Sequence, residues 1–528
     1  VPPEAPLPQV PLSRLLARAV MARPLTRLHF YTEAGHIAMT TSGLLQAGRR
    51  LARGLRAIGL KAGDAIAVQM PTRHETAVLY LAAFEIGAVL VPIVHIYGPA
   101  EVGFILRQSR ARLLAVPERW RGIDFLERVE ALGALPDLEQ VLVLGERAPR
   151  GGITWQALQQ AAGADASTAA AECIAPQDTC LLLYTSGTTA APKGVKHTHQ
   201  TVGAEWQIPF IDDAPATAAQ PGGNGPYFTP FPAGHIAGFN FLLRPFVTAT
   251  EMVFVDRWDA AVAAELIERH RVRLSGGTPY HLQGLLDAAR RAGRDLSSLV
   301  AYGLGGTGVT PDHVEAAARA GVAASRSYGL TEHSTVSIGW REMSLAQRAG
   351  TDGRLQPGSE VRIVDDRERE LAQGQEGEIL TRGPELFVGY TDASLDAHAR
   401  TADGWFRTGD IGRLDAANCL TITDRKKDIV IRGGENISSQ EVERVLATHP
   451  SVRDAAVVAQ PDARYGEKVC AFVVLADGAS LDLDAVRRHF AAARVARQKT
   501  PEGLHVVGEL PRTASGKVRK DELRERLR

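Results

Sequence analysis

Tyr184-Thr-Ser-Gly-Thr-Thr-Ala-Ala-Pro-Lys193, followed by Gly194, joins a hydroxyl-rich, glycine-containing turn to one lysine directly after the apolar run 180–183. Backbone N–H groups and Ser/Thr hydroxyls reach phosphate oxygens while a lysine adds a mobile positive charge, so the segment reads as an ATP phosphate loop at the end of a strand. It is not a Walker A loop. Counting from Gly187, Pro192 falls where that motif needs its second glycine, and Gly194 falls where it needs the Mg²⁺-binding hydroxyl. A polar surface turn is the competing reading of the same composition.

Four further segments carry chemistry. Gly303-Leu-Gly-Gly-Thr-Gly308 follows an apolar run and precedes a helix start at Thr310-Pro-Asp312, which fits a dinucleotide fingerprint; yet no acid stands after the next strand to hold a ribose. A flat glycine backbone against which a purine lies explains the same residues. Tyr328-Gly-Leu-Thr-Glu332 offers an aromatic face, a hydroxyl and a carboxylate, the needs of an adenine, a phosphate and a Mg²⁺. In Gly404-Trp-Phe-Arg-Thr-Gly-Asp410 the last residue either caps a turn or accepts hydrogen bonds from a ribose diol. Pro511-Arg-Thr-Ala-Ser-Gly-Lys517 either presents a lysine on a glycine turn or is an exposed loop, and the charge run Asp424-Arg-Lys-Lys-Asp428 reads first as a solvated loop.

Such groups need a scaffold that brings distant strand ends together. Between about residues 44 and 309 apolar-periodic helices such as 51–58 alternate with short apolar strands such as 65–70, which implies stacked, mostly parallel sheets covered by helices. From 353 to 420 short β-like runs (361–364, 378–381) broken by Gly, Pro and Asp suggest a small barrel-like antiparallel sheet closing the first lobe. A compact α+β tail follows, with Ser438 and Glu441 as a helix-start pair. The expected fold class is α/β, with a large N-terminal lobe over residues 1–426 and a small mobile C-terminal domain over 427–528. The stretch 77–94 contains Glu85, Gly87 and Pro92, so it reads as a buried helix and strand rather than a membrane span.

Bulk composition narrows the partners. Lys plus Arg and Asp plus Glu are 60 each in 528 residues, so no global field favours nucleic acid or an anionic membrane. Cys173, Cys180, Cys419 and Cys470 show no metal-ligand spacing and fit reduced packing roles. With no secretory signal legible, a cytoplasmic enzyme is expected, and a homodimer is admitted.

In this order and at these separations, the motifs above, with Gly377-Glu378, Arg382-Gly-Pro384, Gly389-Tyr390 and the stretch 424–437, resemble the acyl-adenylate-forming superfamily of acyl-CoA synthetases, non-ribosomal adenylation domains and beetle luciferases. The resemblance runs from about residue 44 to the end. It implies that Thr185, Ser186, Gly187, Thr188, Thr189 and Lys193 close over the ATP phosphates. Adenine would lie between the backbone of Gly305, Gly306, Thr307 and Gly308 and the ring of Tyr328; Thr331 would meet the α-phosphate, Glu332 would hold Mg²⁺, and Asp410 and Arg425 would bind the ribose. Lys517 would bridge the substrate carboxylate and the α-phosphate, stabilising shared negative charge. Rotation about Lys427 would then withdraw Lys517 and bring the Gly433-Gly434 turn to the site, making room for the pantetheine arm of CoA.

The stretch 231–239 lacks the aspartate with which amino-acid activators pair an α-ammonium, so a simple carboxylic acid is favoured. His235, Gly238, Phe239, Gly303 and Leu304 are expected to line an apolar pocket for a medium-chain or bulky alicyclic acyl group, with a satisfied buried histidine as the alternative for His235. Three residues depart from the family pattern: Ala190 in the phosphate loop, Gly308 in the adenine turn, and Arg326 where a small amide or carboxylate often meets the adenine amino group. The leading expectation is an AMP-forming acid:CoA ligase. The alternatives are an enzyme loading a separate acyl carrier protein, a luciferase-like oxidase, and a degenerate nucleotide sensor, the last opposed by the presence of Lys193, Glu332, Asp410, Arg425 and Lys517.

Overall fold

The computed structural model describes residues 8–161, 174–185, 192–207, 225–513 and 516–527. Two large sheets dominate. In one the strand order is 354–355, 337–338, 323–328, 301–304, 274–277, 227–229, 252–255, 27–32 and 35–40, the interior pairs being parallel and the outer pairs antiparallel. In the other it is 389–390, 193–198, 179–185, 89–92, 65–68, 111–117, 140–144 and 153–154, parallel from 179–185 onward. Parallel strands need helical crossovers, and the apolar runs alternate with helices for that reason.

The helix His74–Glu85 is buried at every position from Thr76 to Phe84. A helix apolar all round must be covered all round, and side chains from both sheets and from the helix Thr41–Ala57 join it in one core. This is the expected buried helix; the strand Val89–Pro92 follows it, and no helix among the described residues is long and apolar enough to cross a membrane. Cys180, Cys419 and Cys470 are buried free thiols, and Cys173 lies outside the described residues.

The strands 360–364, 377–382, 406–414 and 420–425 form a separate antiparallel sheet. Its last strand ends at Arg425, and the next strand, Val430–Arg432, belongs to a further sheet with 435–437, 452–462, 466–475 and 503–506. That sheet has its own core, in which Val442 and Leu446 of the helix Ser439–Ala447 meet Val457, Val469 and Phe490. Ser438 accepts the Glu441 N–H at 3.1 Å, fixing the start of that helix.

Candidate active site

The strand Thr179–Thr185 returns as Lys193–Thr198, with Thr185 opposite Lys193. Lys193 is thus the first residue of the returning strand. Ser186, Gly187, Thr188, Thr189 and Ala190 lie outside the described residues. Lys193 Nζ stands 5.6 Å from the centre of the Tyr390 ring, whose hydroxyl donates to Glu332 Oε1 at 2.8 Å. Burial raises the Glu332 carboxyl above the usual carboxylate range, opposed by the Tyr390 bond and by Lys193. The neighbouring Thr331 is held through its carbonyl, which lies 2.8 Å from His197 Nε2. Burial pushes His197 down to about 4, so at neutral pH the imidazole is uncharged and donates its one N–H to that carbonyl.

A second group meets on three other strands. Tyr328, at the end of Ala323–Tyr328, donates its hydroxyl to Asp410 Oδ2 at 2.6 Å, and Arg425 Nε lies 3.0 Å from Asp410 Oδ1. Asp410 and Arg425 are register partners in the 406–414/420–425 ladder. The carboxylate is buried while the guanidinium is 45% exposed, so the pair opens onto solvent at one end. Each carboxylate oxygen keeps further lone-pair capacity for a diol.

The glycine segment borders the same space. Gly306 has φ +79°, a conformation that favours glycine, and a Cβ there would stand 3.6 Å from Lys517 Cε. A Cβ on Gly305 would come within 2.7 Å of Ser327 Oγ.

Lys517 therefore reaches this cleft from the C-terminal segment. A tight turn presents it: the Thr513 N–H donates to the Lys517 carbonyl at 2.8 Å, the Lys517 N–H donates to Thr513 Oγ1 at 3.1 Å, and Gly516 has φ +82°. The turn is seated by Arg512, which donates to Asp454 Oδ2 at 2.5 Å and lies 5.6 Å from the centre of the Tyr280 ring. Burial lowers the Lys517 ammonium to about 8, helped by Arg425 and opposed by Asp410 and Glu332. His235 faces the same cation: burial, then Lys517, hold it down to about 3. Its Nδ1 accepts the Ala237 N–H at 3.3 Å and so starts the helix Ile236–Leu243, which fixes the ring where it stacks on Phe231 at 6.0 Å. His235 is thus a helix cap that also lies within electrostatic reach of Lys517.

Other expected pocket residues are elsewhere. Phe239 is fully buried among Tyr80, Phe84 and Trp206, in the core between the large sheets. Leu304 is fully buried in the core on the other face of its sheet, because it alternates with Gly303 along the strand. Gly238 is packed inward, since a Cβ there would stand 1.9 Å from the Pro232 carbonyl oxygen. Only His235 and Gly303 of that set remain candidates. Arg326 turns away from the cleft: its guanidinium grips buried Asp352 at 3.0 and 2.6 Å and donates to the Ala349 carbonyl at 3.1 Å. Gly433 and Gly434, with φ +59° and +89°, form the exposed turn of the hairpin 430–437, where the Gly433 N–H donates to the Tyr465 carbonyl at 2.8 Å. Lys427 is exposed between the two sheets, and Arg524 donates to its carbonyl at 3.3 Å. The sequence reading missed His197 as the support of Thr331; its signal was a histidine on the strand leaving the phosphate loop.

A lysine carried into a nucleotide-type cleft by a separate C-terminal sheet is the arrangement that decides kinship. The chain belongs to the AMP-binding enzyme family. The family description matches residues 16–391, and that of the AMP-binding enzyme C-terminal domain matches 441–517. The medium-chain fatty-acid–CoA ligase of Escherichia coli is 36% identical over 92% of this chain and 85% of its own. A Mycobacterium tuberculosis ligase that joins CoA to a methyl-dioxo-octahydroindenyl propanoate is 36% identical over 92% of this chain and 93% of its own. Among solved structures, ATP-bound MatB of Rhodopseudomonas palustris is similar with a TM-score of 0.83 and 28% identity, covering 97% of this chain and 98% of that one.

Proposed function

We propose that this family member is an AMP-forming acid:CoA ligase whose acid is medium-chain or alicyclic. The observation that carries the reading is the placement of Lys517 against Gly306, within electrostatic reach of Asp410, Glu332 and His235. A carboxylate is a poor electrophile at neutral pH. Its oxygen attacks the α-phosphorus of ATP, the bond to the bridging oxygen breaks, and pyrophosphate leaves with that electron pair; the thiolate of CoA then attacks the acyl carbonyl and AMP departs.

The residues divide that work. Lys193 lies at the exit of the phosphate loop to neutralise the leaving pyrophosphate, and Thr331 is presented by the loop that His197 holds. Asp410 and Arg425 hold the ribose, and Tyr328 fixes the Asp410 carboxylate as its ring covers adenine. Lys517 places its ammonium where negative charge is shared between carboxylate and α-phosphate, an electrostatic contribution available without bond formation. Glu332 fits a Mg²⁺ site, since such ions bind through one or two carboxylates plus phosphates and water, and its carboxylate is oriented by Tyr390 next to Lys193. Bound there, the ion neutralises phosphate charge. His235, neutral at working pH, borders the acid without repelling it and without adding charge.

Residues 427–528 act as the mobile domain, with Lys427 as pivot, and the exposed Gly433-Gly434 turn is the part that replaces Lys517 for the thiol step. The acid class is supported by the two relatives at 36% identity, which act on a medium-chain fatty acid and on a bicyclic propanoate. A cytoplasmic setting follows from its co-substrates, ATP and CoA. The test is pyrophosphate release across a panel of short, medium-chain, alicyclic and amino acids, with thioester product measured with CoA and with a holo-carrier protein. Release only with α-amino acids, or acyl transfer only to the carrier, overturns this reading.

A further inference from the structure

On the far side of the large sheet, four strands away from Tyr328, lies a cluster the reaction does not use. His29 on the strand Arg27–Thr32, Glu251 just before the strand Met252–Val255, and His270 at the end of the helix Ala260–His270 each offer a ligand atom, and these lie within 4.8 Å of one another. His29 Nε2 and Glu251 Oε1 are 3.0 Å apart, close to the edge of about 3.3 Å that two ligands span across a tetrahedral zinc ion. We propose that His29, Glu251 and His270 form a binding site for a zinc-class divalent transition metal, which ties the sheet edge to the helix.

Three observations support the assignment. The remaining nitrogen of His29 is already oriented, with Nδ1 3.1 Å from Nε2 of His36 on the neighbouring strand, and the Tyr31 hydroxyl lies 2.7 Å from His270 Nε2; metal-binding imidazoles are held by such outer partners. His29 is buried and Glu251 and His270 are partly buried, which keeps the three ligand atoms out of bulk solvent. His270 is the last residue of its helix, where the backbone dipole favours a cation. Arg27 and Arg269 are the opposing charges nearby, and Arg269 is itself paired with Glu265. His36 is exposed and Glu251 partly so, which leaves an entry path and a fourth position for water. The ligand set, two imidazoles and one carboxylate, suits zinc and cobalt rather than Mg²⁺, which prefers oxygen.

The experiment uses the full chain, stripped with a chelator and titrated with Co²⁺ and Zn²⁺ in the presence of excess Mg²⁺. The expected result is one equivalent bound, an intense visible cobalt spectrum of low coordination number, and a melting temperature that rises with zinc concentration. Glu251→Gln, which keeps shape, and His270→Ala should each weaken cobalt binding by about tenfold or more, while pyrophosphate release with Mg²⁺ is unchanged in Glu251→Gln. Absence of saturable binding in the wild type, or binding equal in wild type and Glu251→Gln, overturns the proposal. Circular dichroism establishes that the compared variants are folded, and Glu251→Gln carries the test if His270→Ala is not.

Discussion

Lys517 titrates within reach of ordinary assays, which makes pH a direct probe of its role. Its amine is held down to about 8 by burial and Arg425 against the pull of Asp410 and Glu332. If the ammonium stabilises charge at the α-phosphate, kcat/KM for acyl-AMP formation is flat below that value and falls tenfold per pH unit above it. Between about pH 7 and pH 9 the protonated fraction drops from about 0.9 to about 0.1, a loss of roughly tenfold. Bound ATP adds negative charge that favours the ammonium, so the limb in kcat lies at higher pH than the limb in kcat/KM. Lys517→Ala should remove the limb and lower the plateau by on the order of 10²–10³, the effect of losing one oriented charge-stabilising group. Lys517→Arg, charged throughout, should move the limb out of range. His235, held down to about 3, does not titrate in this window. Lys427 is the rival source, also lowered to about 8, but its side chain is exposed, so solvent screening weakens any effect on chemistry and Lys427→Met should keep the limb. The assay is single-turnover pyrophosphate release over about pH 6.5–9.5, with thioester formation from supplied acyl-AMP as the second half-reaction. A limb that survives in Lys517→Ala, or equal loss of both half-reactions, refutes the assignment.

Gly434→Leu adds a side chain to an exposed turn with nothing within 4 Å, so acyl-AMP formation should persist while CoA-dependent turnover falls; parallel loss of both would detach the turn from the thiol step. Gly238→Leu should lower the melting temperature, with an overpacking cost of ~1–3 kcal/mol or more, and leave acid selectivity alone, as its Cβ meets the Pro232 carbonyl; a selectivity change in a fully stable variant would restore it to the pocket. Tyr227 holds its hydroxyl 2.6 Å from where a Gly276 Cβ would be, a point also 3.2 Å from the Gly303 carbonyl, so Tyr227→Leu opens space over two glycines. The kcat/KM ratio of a long to a short acid should rise, and an unchanged ratio in the folded variant excludes Tyr227 from the acyl site.

Residues whose chemistry is specific were legible in the sequence; residues whose only signal is being apolar were not. Lys193, Glu332, Asp410 and Lys517 stand far apart in the chain, yet each closes a motif in which one charged side chain follows glycine; Lys193 starts a strand, Glu332 lies just past the end of one, Asp410 is within a strand and Lys517 is on a turn of the C-terminal segment. Phe239 and Leu304 were expected in the pocket from composition, but a phenylalanine facing Trp206 and one facing a substrate read alike. Strand alternation already argues against Gly303 and Leu304 sharing a face. The histidine cluster had no sequence signal, because His29, Glu251 and His270 meet only through a strand crossover and a helix end. Arg326 was legible as a departure from the family pattern, but its partner was not, because Asp352 lies 26 residues away and meets it only in the fold.

The ribose pair and the proposed pivot belong to one ladder, and this sets what a rotation disturbs. Asp410 and Arg425 face each other at its end; just beyond, the Lys426 N–H donates to the Gly409 carbonyl at 2.9 Å and the Asp428 N–H donates to the Arg425 carbonyl at 2.8 Å. A turn at the proposed pivot would leave Asp410 and Arg425 in place. What would break are contacts at the domain boundary, such as Ser438 to the Thr423 carbonyl at 3.1 Å, the buried Ser439 to Asp424 bond at 3.2 Å, and Arg512 over the Tyr280 ring at 5.6 Å. In the proposed rotation the C-terminal core would move as a unit, so no apolar packing within it would be lost. Charge supplies the direction. Arg425 disfavours the Lys517 ammonium in the cleft while Asp410 and Glu332 favour it; ATP phosphates would add to the favourable side, and loss of pyrophosphate would remove part of that attraction. On the proposed roles, departure of the first product would favour withdrawal of Lys517 and free the site for the thiol.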